Sequence, residues 1–506
     1  MKYILVHDLG TSGNKATLFD VEGNLIASEI VAYDILPSKN ILHAEQNPED
    51  WWQAVVASTK KLIETVNANE ILAVSFSGHM HGMVCLDGYG DPVCNSMIWM
   101  DRRAEDQNKE LIEKISLERI YNITGHRSNP MYTLNKLMWV KDNLPDAYKR
   151  IDKVVNTKDY ITFKLTGNLV TDFSDASGTN MLDIRGKVWS DEMLEAAGIN
   201  KSILPDIFKS TDIVGKVTSE AANMTGLIKG TPVVCGGGDG ACATVGAGSI
   251  KDNDTYCCMG TSAWIASTSS EPLMDKEMTL FNFIHLDYEK YMPCGTMVSC
   301  GSSYDWAVKN IYLNNAKRDV SVQDHEIVEK MMESSSVGSG GLVFLPYLNG
   351  ERSPRWNGNA RGTFVGLTSN HNTSDMLRSV VEGVSLNLDA ILKCFQSSMD
   401  ISGINIIGGS LNDFWKQVLC DVFGIEVNGV RNSRHATSIG AAVAAGIGVG
   451  AYNGFGESDK FIRVLGESRP NIKNSIRYNA IKPIYAKTYK SLTSVFDDIV
   501  EFQVRD

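Results

Sequence analysis

The chain has 506 residues, of which 43% are hydrophobic and 21% charged, and its formal net charge is −12. This composition is typical of a globular protein with a large core, and the length favours two or three domains. The acidic balance argues against a nucleic-acid-binding protein, which usually carries a basic face. It does not exclude a small anionic ligand, because such a ligand responds to the local field.

The first predicted elements form a meander. Residues 3–7 read as a strand, 15–20 as its antiparallel partner, and a third strand follows the turn at 22–24. A helix is expected over 47–66, with Asn47 as its cap, because Pro48 and two acids suit its first turn. The run 71–78 reads as a buried strand, and helical stretches are expected after Trp99 and over about 131–142.

The second half repeats strands and glycine turns. Residues 231–248 read as a strand that runs into a glycine-rich bend, and 254–267 as strand, turn, strand. Residues 403–424 predict a strand, a glycine turn and a helix. The segment 436–448 predicts a helix of small residues that packs closely, and 478–503 predicts a final amphipathic helix.

The ten cysteines are scattered, and none belongs to a Cys-x-x-Cys pair. Their apolar settings indicate reduced, buried thiols and a cytoplasmic protein. Because Asp8 interrupts the first apolar run, this run is not expected to be a signal peptide. No run of about 18 apolar residues occurs, so no membrane span is expected.

A Gly-Thr-Ser triplet stands at 10–12 and again at 260–262, each time between two predicted strands. This repetition suggests two related domains that each offer a hairpin turn to a shared ligand. Glycine and hydroxyl residues expose N–H and O–H donors that suit phosphate oxygens. Asp8 could hold Mg²⁺ through its waters, and Lys15 could lie near a transferred phosphate. The alternative is a plain polar turn, and no Walker A loop is present.

Asp239 lies among glycines after an apolar strand, where a substrate has room to approach. Its carboxylate could accept the proton of an attacking hydroxyl, as a kinase base does, or could merely cap the following helix. His79 and His81 would point the same way if the chain were extended. They are interpreted as metal ligands, as structural histidines or as a pair that binds hydroxyl groups.

Two further segments leave alternatives open. Trp99 with the Asp-Arg-Arg run after it predicts either an ion-paired helix start or the wall of a polar ligand pocket. The Gly-Gly-Ser at 408–410 would let a flat ligand approach the backbone next to a helix N-terminus, which favours anions, or it is an ordinary turn.

Together and in this order, these segments resemble the FGGY family of carbohydrate kinases, and most closely its xylulokinase branch. The resemblance covers nearly the whole chain. It rests on the following motifs: DLGTSG at 8–13, QNPEDWW at 46–52, HGMV at 81–84, IWMDRR at 98–103, MYTLNKLMWVKDN at 131–143, KDYITFKLTG at 158–167, SDASGT at 174–179, GGGD at 236–239, MGTS at 259–262, FLPYLNGERSP at 344–354, GTFVGLTSNHNTSDMLRSVVE at 362–382 and IIGGS at 406–410.

The resemblance implies an α/β protein of two ribonuclease-H-like (actin/hexokinase-like) domains hinged about an ATP cleft. Residues 1–247 would form the N-terminal domain for sugar and phosphates, and 248–506 the nucleotide-binding domain with a C-terminal helix. The implied roles are a catalytic base, Asp239; a Mg²⁺ ligand, Asp8; phosphate or nucleotide contacts, Thr11, Ser12, Lys15, Gly260, Thr261, Ser262, Gly408, Gly409 and Asn412; and sugar contacts, Met80, His81, Trp99, Asp101, Arg103, Asp239 and Gly240.

The implied reaction is ATP-dependent phosphorylation of a terminal sugar hydroxyl, which is the 5-hydroxyl if the substrate is D-xylulose. Glycerol is disfavoured as a substrate. By the family resemblance, glycerol kinases carry Arg and Glu at the positions that match Met80 and His81, and Tyr at the position that matches Met131. Two positions depart from the xylulokinase pattern: Gly240, where Asn is usual, and His79, where Gln is common. They leave room for another ketose, a polyol or a sugar acid, such as ribulose, erythritol or gluconate.

Three alternatives of a different class remain at this point. An actin-like or chaperone-like ATP switch would need a partner-binding domain or a polymer surface. A sugar-responsive repressor would need a basic helix-turn-helix segment. A catalytically dead sugar sensor would require that Asp239 is not the base. As partners we expect a small sugar and ATP, with neither nucleic acid nor membrane, and a homodimer only as a family-level expectation.

Overall fold

The computed structural model of the protein describes residues 2–314, 316–409, 412–430, 433–462 and 464–504. Two compact units divide the chain, and both are discontinuous in sequence. Unit 1 comprises Met1–Asp252, Thr268–Pro293 and His435–Arg463. Unit 2 comprises Asn253–Ser267, Cys294–Arg434 and Val464–Asp506. Unlike the predicted division into 1–247 and 248–506, this grouping assigns two later segments to the first unit.

Unit 1 contains both sheet and helix. Its strands are Tyr3–Leu9, Gly13–Asp20, Leu25–Ala32, Glu45–Gln46, Ile71–Gly78, Val84–Leu86, Ser96–Met97, Lys153–Val155, Val170–Asp172, Leu182–Asp183, Val188–Trp189, Asp206–Phe208, Ile213–Lys216, Pro232–Val234, Gly237–Gly238 and Phe281–Ile284. Its α-helices are Pro48–Ile63, Glu105–Ile115, Leu117–Thr124, Thr133–Asn143, Pro145–Tyr148, Thr157–Thr166, Phe173–Ser177, Asp191–Ala197, Ser219–Thr225, Asp239–Gly246 and Ala436–Gly448.

The main sheet of unit 1 is mixed. The predicted meander is confirmed, because the first three strands pair antiparallel in sequence order. Tyr3–Leu9 also pairs parallel with Ile71–Gly78, and Leu9 lies opposite Gly78. The short strand Gly237–Gly238 pairs parallel with the other side of Ile71–Gly78. Three strand ends therefore meet at one edge of the sheet, where the residues predicted for the site follow.

Helix Pro48–Ile63 covers one face of this sheet. Asn47 caps it, as predicted, by accepting a hydrogen bond from the Glu49 amide. Trp51 and Trp52 are buried in the apolar core that the helix shares with the strands. The burial of such large side chains contributes much of the stability, because the hydrophobic effect scales with the apolar area removed from water.

The segment His435–Arg463 belongs to unit 1 because its helix packs very closely on another helix of that unit. A Cβ atom on Gly246 would lie 1.9 Å from the Ala436 carbonyl oxygen, and one on Gly440 would lie 2.1 Å from the Cys242 carbonyl oxygen. Only glycine fits these positions, so the predicted close packing of the small-residue helix is confirmed.

Unit 2 repeats the strand pattern in a second part of the chain. Its strands are Thr255–Met259, Ala263–Ser267, Val343–Leu345, Thr363–Val365, Gly403–Gly408, Glu426–Val430 and Val464–Ser468, and Tyr291–Met297 continues into it. Its α-helices are Gly301–Ala307, Val322–Ser334, Thr373–Gln396, Asp413–Phe423 and Ile472–Val504.

In the sheet of unit 2, the hairpin Thr255–Met259 and Ala263–Ser267 is antiparallel, and its first strand pairs parallel with Gly403–Gly408. This is the arrangement seen in unit 1, so the predicted second hairpin is confirmed. The C-terminal helix begins at Ile472, earlier than the predicted 478, and continues through Pro483. Among the described residues, no helix has the length and apolar character needed to cross a membrane.

Candidate active site

The hairpin turn of unit 1, Gly10–Ser12, is held by several hydrogen bonds and is named turn I. The Gly10 amide donates to the Gly13 carbonyl at 3.0 Å, and Tyr33 donates to the Gly10 carbonyl at 2.6 Å. The Thr11 carbonyl accepts from Gln46 at 2.7 Å, and its hydroxyl accepts from the Trp99 indole at 2.9 Å. Ser12 stays exposed at the tip of the turn. The backbone is thus fixed while hydroxyl groups face solvent.

Asp8 ends the strand before turn I and forms an ion pair across the hairpin. Its Oδ2 lies 2.9 Å from Lys15 Nζ, and these two residues are cross-strand partners. The same oxygen accepts a 2.6 Å hydrogen bond from the Thr437 hydroxyl. The carboxylate is therefore oriented from two sides, through bonds that both end on a single one of its oxygens.

Asp239 is the first residue of helix Asp239–Gly246, and Gly238 holds the N-cap position. The alternative that Asp239 caps this helix is therefore wrong. Its Oδ1 accepts the Gly240 amide at 2.7 Å, and its carboxylate also accepts from the Met80 amide. Burial, aided by the negative charge of Asp8, raises the pKa of Asp239 to about 7. A carboxylate that titrates near neutrality suits general-base chemistry.

Met80 and His81 form a turn directly after strand Ile71–Gly78, and residues 79–82 are named the His81 turn. His81 has a left-handed backbone, with φ of 62°, and its Nδ1 lies 2.6 Å from the Gly178 carbonyl. Because a carbonyl only accepts, Nδ1 carries the proton, and in the neutral ring Nε2 holds the lone pair. Met80 is 6% exposed and packs against Gly238.

The expectation that His79 and His81 point the same way is wrong, because the left-handed residue breaks the extended chain. His79 is buried and packs edge-on against Trp51, with ring centroids 5.6 Å apart. Burial lowers the pKa of His79 to about 3, so the ring is neutral. His79 is thus a core residue. Within the part of the chain that the structure describes, no cluster of three or more His, Cys, Asp or Glu suits a metal.

Trp99 lies beside turn I, whereas Asp101 and Arg103, which follow it in the sequence, form an ion pair with each other. Asp101 is fully buried and accepts from Arg103 Nη2 at 2.6 Å and from the Ala44 amide at 2.8 Å. Arg103 also pairs with Glu45 at 2.7 Å. The segment was interpreted either as an ion-paired helix start or as the wall of a polar ligand pocket. The ion pair is present, although the helix begins only at Glu105. Contact of Asp101 and Arg103 with a sugar stays a prediction.

Gly240 lies between two methionines. A Cβ atom there would be 3.4 Å from Met292 Cε and 3.6 Å from Met80 Sδ, which are ordinary van der Waals distances. A Cβ atom therefore fits at this position, with a methionine on either side of it. Where the xylulokinase pattern has Asn, this chain thus has a glycine with two apolar side chains beside it, directly after Asp239.

The hairpin turn of unit 2, Gly260–Ser262, is named turn II and is fixed by its own neighbours. The Gly260 amide donates to the Ser262 carbonyl at 2.9 Å, and the Thr261 carbonyl accepts the Cys300 amide at 3.0 Å. The side chains of Thr261 and Ser262 are exposed. Turn II therefore offers hydroxyl donors, and Cys258 holds the strand position that Asp8 holds beside turn I.

The glycine turn after strand Gly403–Gly408 has room for a flat ligand. Gly408 has a φ of 108°, and a Cβ atom there would lie 2.1 Å from the Met259 carbonyl oxygen. A Cβ atom on Gly409 would meet no atom of the described residues within 4 Å. Asn412 caps the next helix by accepting from the Trp415 amide at 2.8 Å. The Ser410 of this motif lies outside the described residues.

Sequence reasoning missed the buried polar groups that support the site. The Gly238 amide donates to Ser174 Oγ at 3.0 Å, Ser174 donates to Asp172, and Lys158 pairs with Asp172 at 2.9 Å. This chain of bonds fixes the residue before Asp239. Lys136 is likewise fully buried. Two lysines could have pointed to these groups from the sequence, because each lies at a buried position of a helix within a family motif. They are Lys136 in the motif at 131–143 and Lys158 in the motif at 158–167.

Each of the two α/β units carries a hydroxyl-rich hairpin turn, and unit 1 also holds the Asp239 carboxyl group, whose pKa is raised to about 7; these features suit a phosphate-transferring enzyme. The N-terminal domain model of the FGGY family of carbohydrate kinases matches residues 3–246, and the C-terminal domain model matches 255–449. The chain therefore belongs to the FGGY family of carbohydrate kinases and is an ATP-dependent carbohydrate kinase, as its sequence motifs suggested.

Individual relatives span the whole chain. A protein named xylulose kinase from Bacillus subtilis is 32% identical over 494 residues, which is 97% of each chain. A gluconokinase from Bacillus licheniformis is 29% identical over 99% of this chain and 98% of its own. The crystal structure of a ligand-bound xylulose kinase from Lactobacillus acidophilus superposes with a TM-score of 0.93 at 28% identity, covering 99% and 100%. The predicted fold class is confirmed.

Proposed function

We propose that this protein phosphorylates the 5-hydroxyl of D-xylulose with MgATP and that Asp239 is its general base. One observation carries the assignment of the base: the Asp239 carboxylate accepts the amide of Met80, while burial, aided by the charge of Asp8, raises its pKa to about 7. The base is thus in contact with the proposed sugar-binding turn and within the field of the phosphate-binding hairpin. The xylulose kinases among the relatives suggest the sugar.

In the proposed reaction, ionised Asp239 takes the proton of the sugar hydroxyl as that oxygen bonds to the γ-phosphorus of ATP. The bond from this phosphorus to the bridging oxygen breaks, and ADP leaves. Lys15 would balance negative charge near the transferred group. Thr11, Ser12, Thr261 and Ser262 would donate hydrogen bonds to phosphate oxygens. Such a reaction depends on positioning and charge stabilisation more than on covalent catalysis.

The residues of unit 1 fit a magnesium ion. Asp8 and Asp239 repel each other in the free protein, and both bonds that the Asp8 carboxylate forms with described side chains end on Oδ2. Mg²⁺ prefers one or two carboxylates and keeps most of its waters. We propose that Asp8 holds the ion, which would neutralise charge on the phosphates when bound. Gly408, Gly409 and Asn412 would line the adenosine site, the last two next to a helix N-terminus.

A sugar acid is the second candidate, since gluconokinases are also among the relatives. A gluconate carboxylate would need a cation close to the His81 turn. The cations found near that turn are already engaged, because Arg103 pairs with two carboxylates and Lys136 donates to backbone carbonyls. This favours an uncharged ketose over a sugar acid.

The test is an ADP-coupled assay of the purified protein with Mg²⁺ and a panel of substrates: D-xylulose, L-xylulose, D- and L-ribulose, glycerol, erythritol, D-arabitol, xylitol and gluconate. We expect the highest kcat/KM for D-xylulose. A higher kcat/KM for gluconate would overturn D-xylulose as the substrate, whereas the assignment of kinase activity would stand. We also propose a reducing, cytoplasmic location, because the ten cysteines, all within the described ranges, form no disulfide.

A further inference from the structure

Lys136 is a fully buried lysine in the middle of helix Thr133–Asn143. Its Nζ donates to three backbone carbonyls, those of Ile98 at 2.6 Å, His81 at 2.8 Å and Met97 at 3.3 Å. An ammonium group has three N–H bonds, so these acceptors match its donors in number. Lysine is rarely buried to this degree without such compensation.

The three carbonyls belong to two separate segments. One is the His81 turn, and the other runs from Met97 to Trp99, the residue whose indole contacts turn I. Just after the His81 turn, Met83 forms an isolated backbone bridge with Met97. The ammonium group of Lys136 therefore links the His81 turn to the segment that continues to turn I.

The backbone of the His81 turn needs such support. A non-glycine residue with a positive φ costs free energy and persists only when its surroundings hold it. His81 is held at its carbonyl by Lys136 and at its ring by the Gly178 carbonyl, and Tyr132 packs edge-on against the ring at 4.9 Å. Loss of the bond to the carbonyl would remove a charged contact that acts directly on the left-handed residue, whereas the neighbouring Gly82 carbonyl would keep its 3.3 Å bond from the Thr133 hydroxyl.

The charges around Lys136 do not provide an alternative partner. Asp101 favours the ammonium form, but its carboxylate is bonded to Arg103, which disfavours that form. Burial is the larger effect and lowers the pKa of Lys136 to about 7. The hydrogen bonds to carbonyls, rather than an ion pair, thus define the role of this side chain.

We propose that Lys136 is a positioning residue that holds the His81 turn in its sugar-binding conformation and so sets the affinity for the sugar. This rests on the proposed function, because it takes the His81 turn as the sugar contact. Lys136 itself touches neither of the hydroxyl-rich turns in the described contacts. Its loss should therefore affect the sugar more than the nucleotide.

The test compares Lys136→Met, which keeps the length and loses every donor, with Lys136→Gln, which keeps two neutral donors. Lys141→Met is the matched control, because Lys141 lies on the same helix and donates to one carbonyl, that of Gly198 at 2.7 Å. For Lys136→Met we expect the KM for the sugar to rise roughly tenfold or more, as for a lost charged hydrogen bond. We expect a smaller rise for Lys136→Gln, and a KM for ATP within about twofold of the wild type in all three.

A second readout does not depend on the substrate. Backbone amides of residues 79–83 and 97–100 should exchange hydrogen faster in Lys136→Met than in the wild type or in Lys141→Met, with other segments unchanged. If Lys136→Met does not fold, Lys136→Gln takes its place. Unchanged exchange, or equal rises in KM for sugar and ATP, would overturn the proposal.

The two proposals fail in different ways. If the wild type prefers another sugar of the panel, the choice of D-xylulose fails, and the KM comparison is made with the preferred sugar. If the exchange of residues 79–83 is the same in Lys136→Met and the wild type, the role of Lys136 fails whatever the sugar is.

Discussion

Turn I and turn II share one backbone plan but carry different chemistry. Each follows a strand that pairs antiparallel with the next strand and parallel with a later one. In unit 1 the pair of residues across the hairpin is Asp8 and Lys15, whereas in unit 2 Cys258 faces Trp264. The shared strand arrangement therefore gives each unit a turn that suits phosphate. In unit 1 an acid and a lysine lie beside that turn, whereas in unit 2 a cysteine and a tryptophan hold the matching positions.

The strand next to each hairpin leads to a different segment. In unit 1, Ile71–Gly78 leads into Met80 and His81, and the neighbouring short strand leads into Asp239. In unit 2, Gly403–Gly408 leads to Gly409 and then to a helix capped by Asn412. Under the proposed function, proton transfer and sugar binding would belong to unit 1, while unit 2 would offer a backbone surface for a nucleotide.

The largest effect is expected from Asp239→Asn. Because the variant cannot accept the hydroxyl proton, kcat should fall by about 10²–10⁴-fold, the usual contribution of a general base. The dissociation constant of the sugar, measured by calorimetry, should stay within about threefold. A variant with near-normal kcat would show that the base lies elsewhere.

The same variant has a stability signature that serves as its control. Since the pKa of Asp239 is raised in the folded protein to about 7, folded protein binds more protons than unfolded protein between pH 4 and 7. The wild type therefore loses stability as the pH rises through that range. Asn at this position removes the loss, so the melting temperature of Asp239→Asn should exceed that of the wild type at pH 8 by more than at pH 5.

The next effect distinguishes the two hairpins. Asp8→Asn should lower kcat/KM for MgATP by about 100-fold or more and raise the Mg²⁺ concentration needed for half-maximal rate, since it removes the proposed metal ligand. Cys258→Ser, at the matching position of unit 2, should change both by less than about threefold. Equal losses in the two variants would contradict the assignment of ionisable chemistry to unit 1.

The smallest expected effect is on the free energy of unfolding, compared between alanine variants of the adjacent glycines Gly408 and Gly409. Gly408→Ala should lower the free energy of unfolding by about 1–3 kcal/mol, because Ala is strained at a φ of 108° and its Cβ would overlap the Met259 carbonyl. The Cβ atom of Gly409→Ala would meet no atom of the described residues, so this variant should change the free energy of unfolding by less than about 0.5 kcal/mol. Urea denaturation with an unchanged m-value measures both. Equal losses would mean that the Gly408 backbone can relax.

Much of the fold follows from local sequence signals. The meander from Tyr3, the helix capped by Asn47 and the hairpin after Asp254 were predicted because alternation, caps and turn residues act within a few positions. The regrouping of segments 268–293 and 435–463 into unit 1 was not, because it depends on packing between distant parts of the chain. The close approach at Gly246 and Gly440 is such a contact.

The site divides in the same way. Asp8, Lys15 and Asp239 were predicted as site residues from their neighbours in the sequence, since acids beside glycine turns stand out, and their roles stay predictions. Lys136 was missed because its three acceptors come from carbonyls about 40 and 55 residues away, and carbonyls leave no mark in a sequence. The reading of His79 and His81 as a matched pair failed because no local pattern revealed the left-handed backbone at His81.

The pH dependence of kcat/KM for the sugar, at subsaturating MgATP, tests the central claim most directly, because it reports the free enzyme. If Asp239 is the base, log kcat/KM should fall with unit slope as the pH drops below about 7. In Asp8→Asn this limb should move to lower pH, since one source of the raised pKa is gone. A rate that stays flat down to pH 5, or a limb that does not move in Asp8→Asn, would contradict the account.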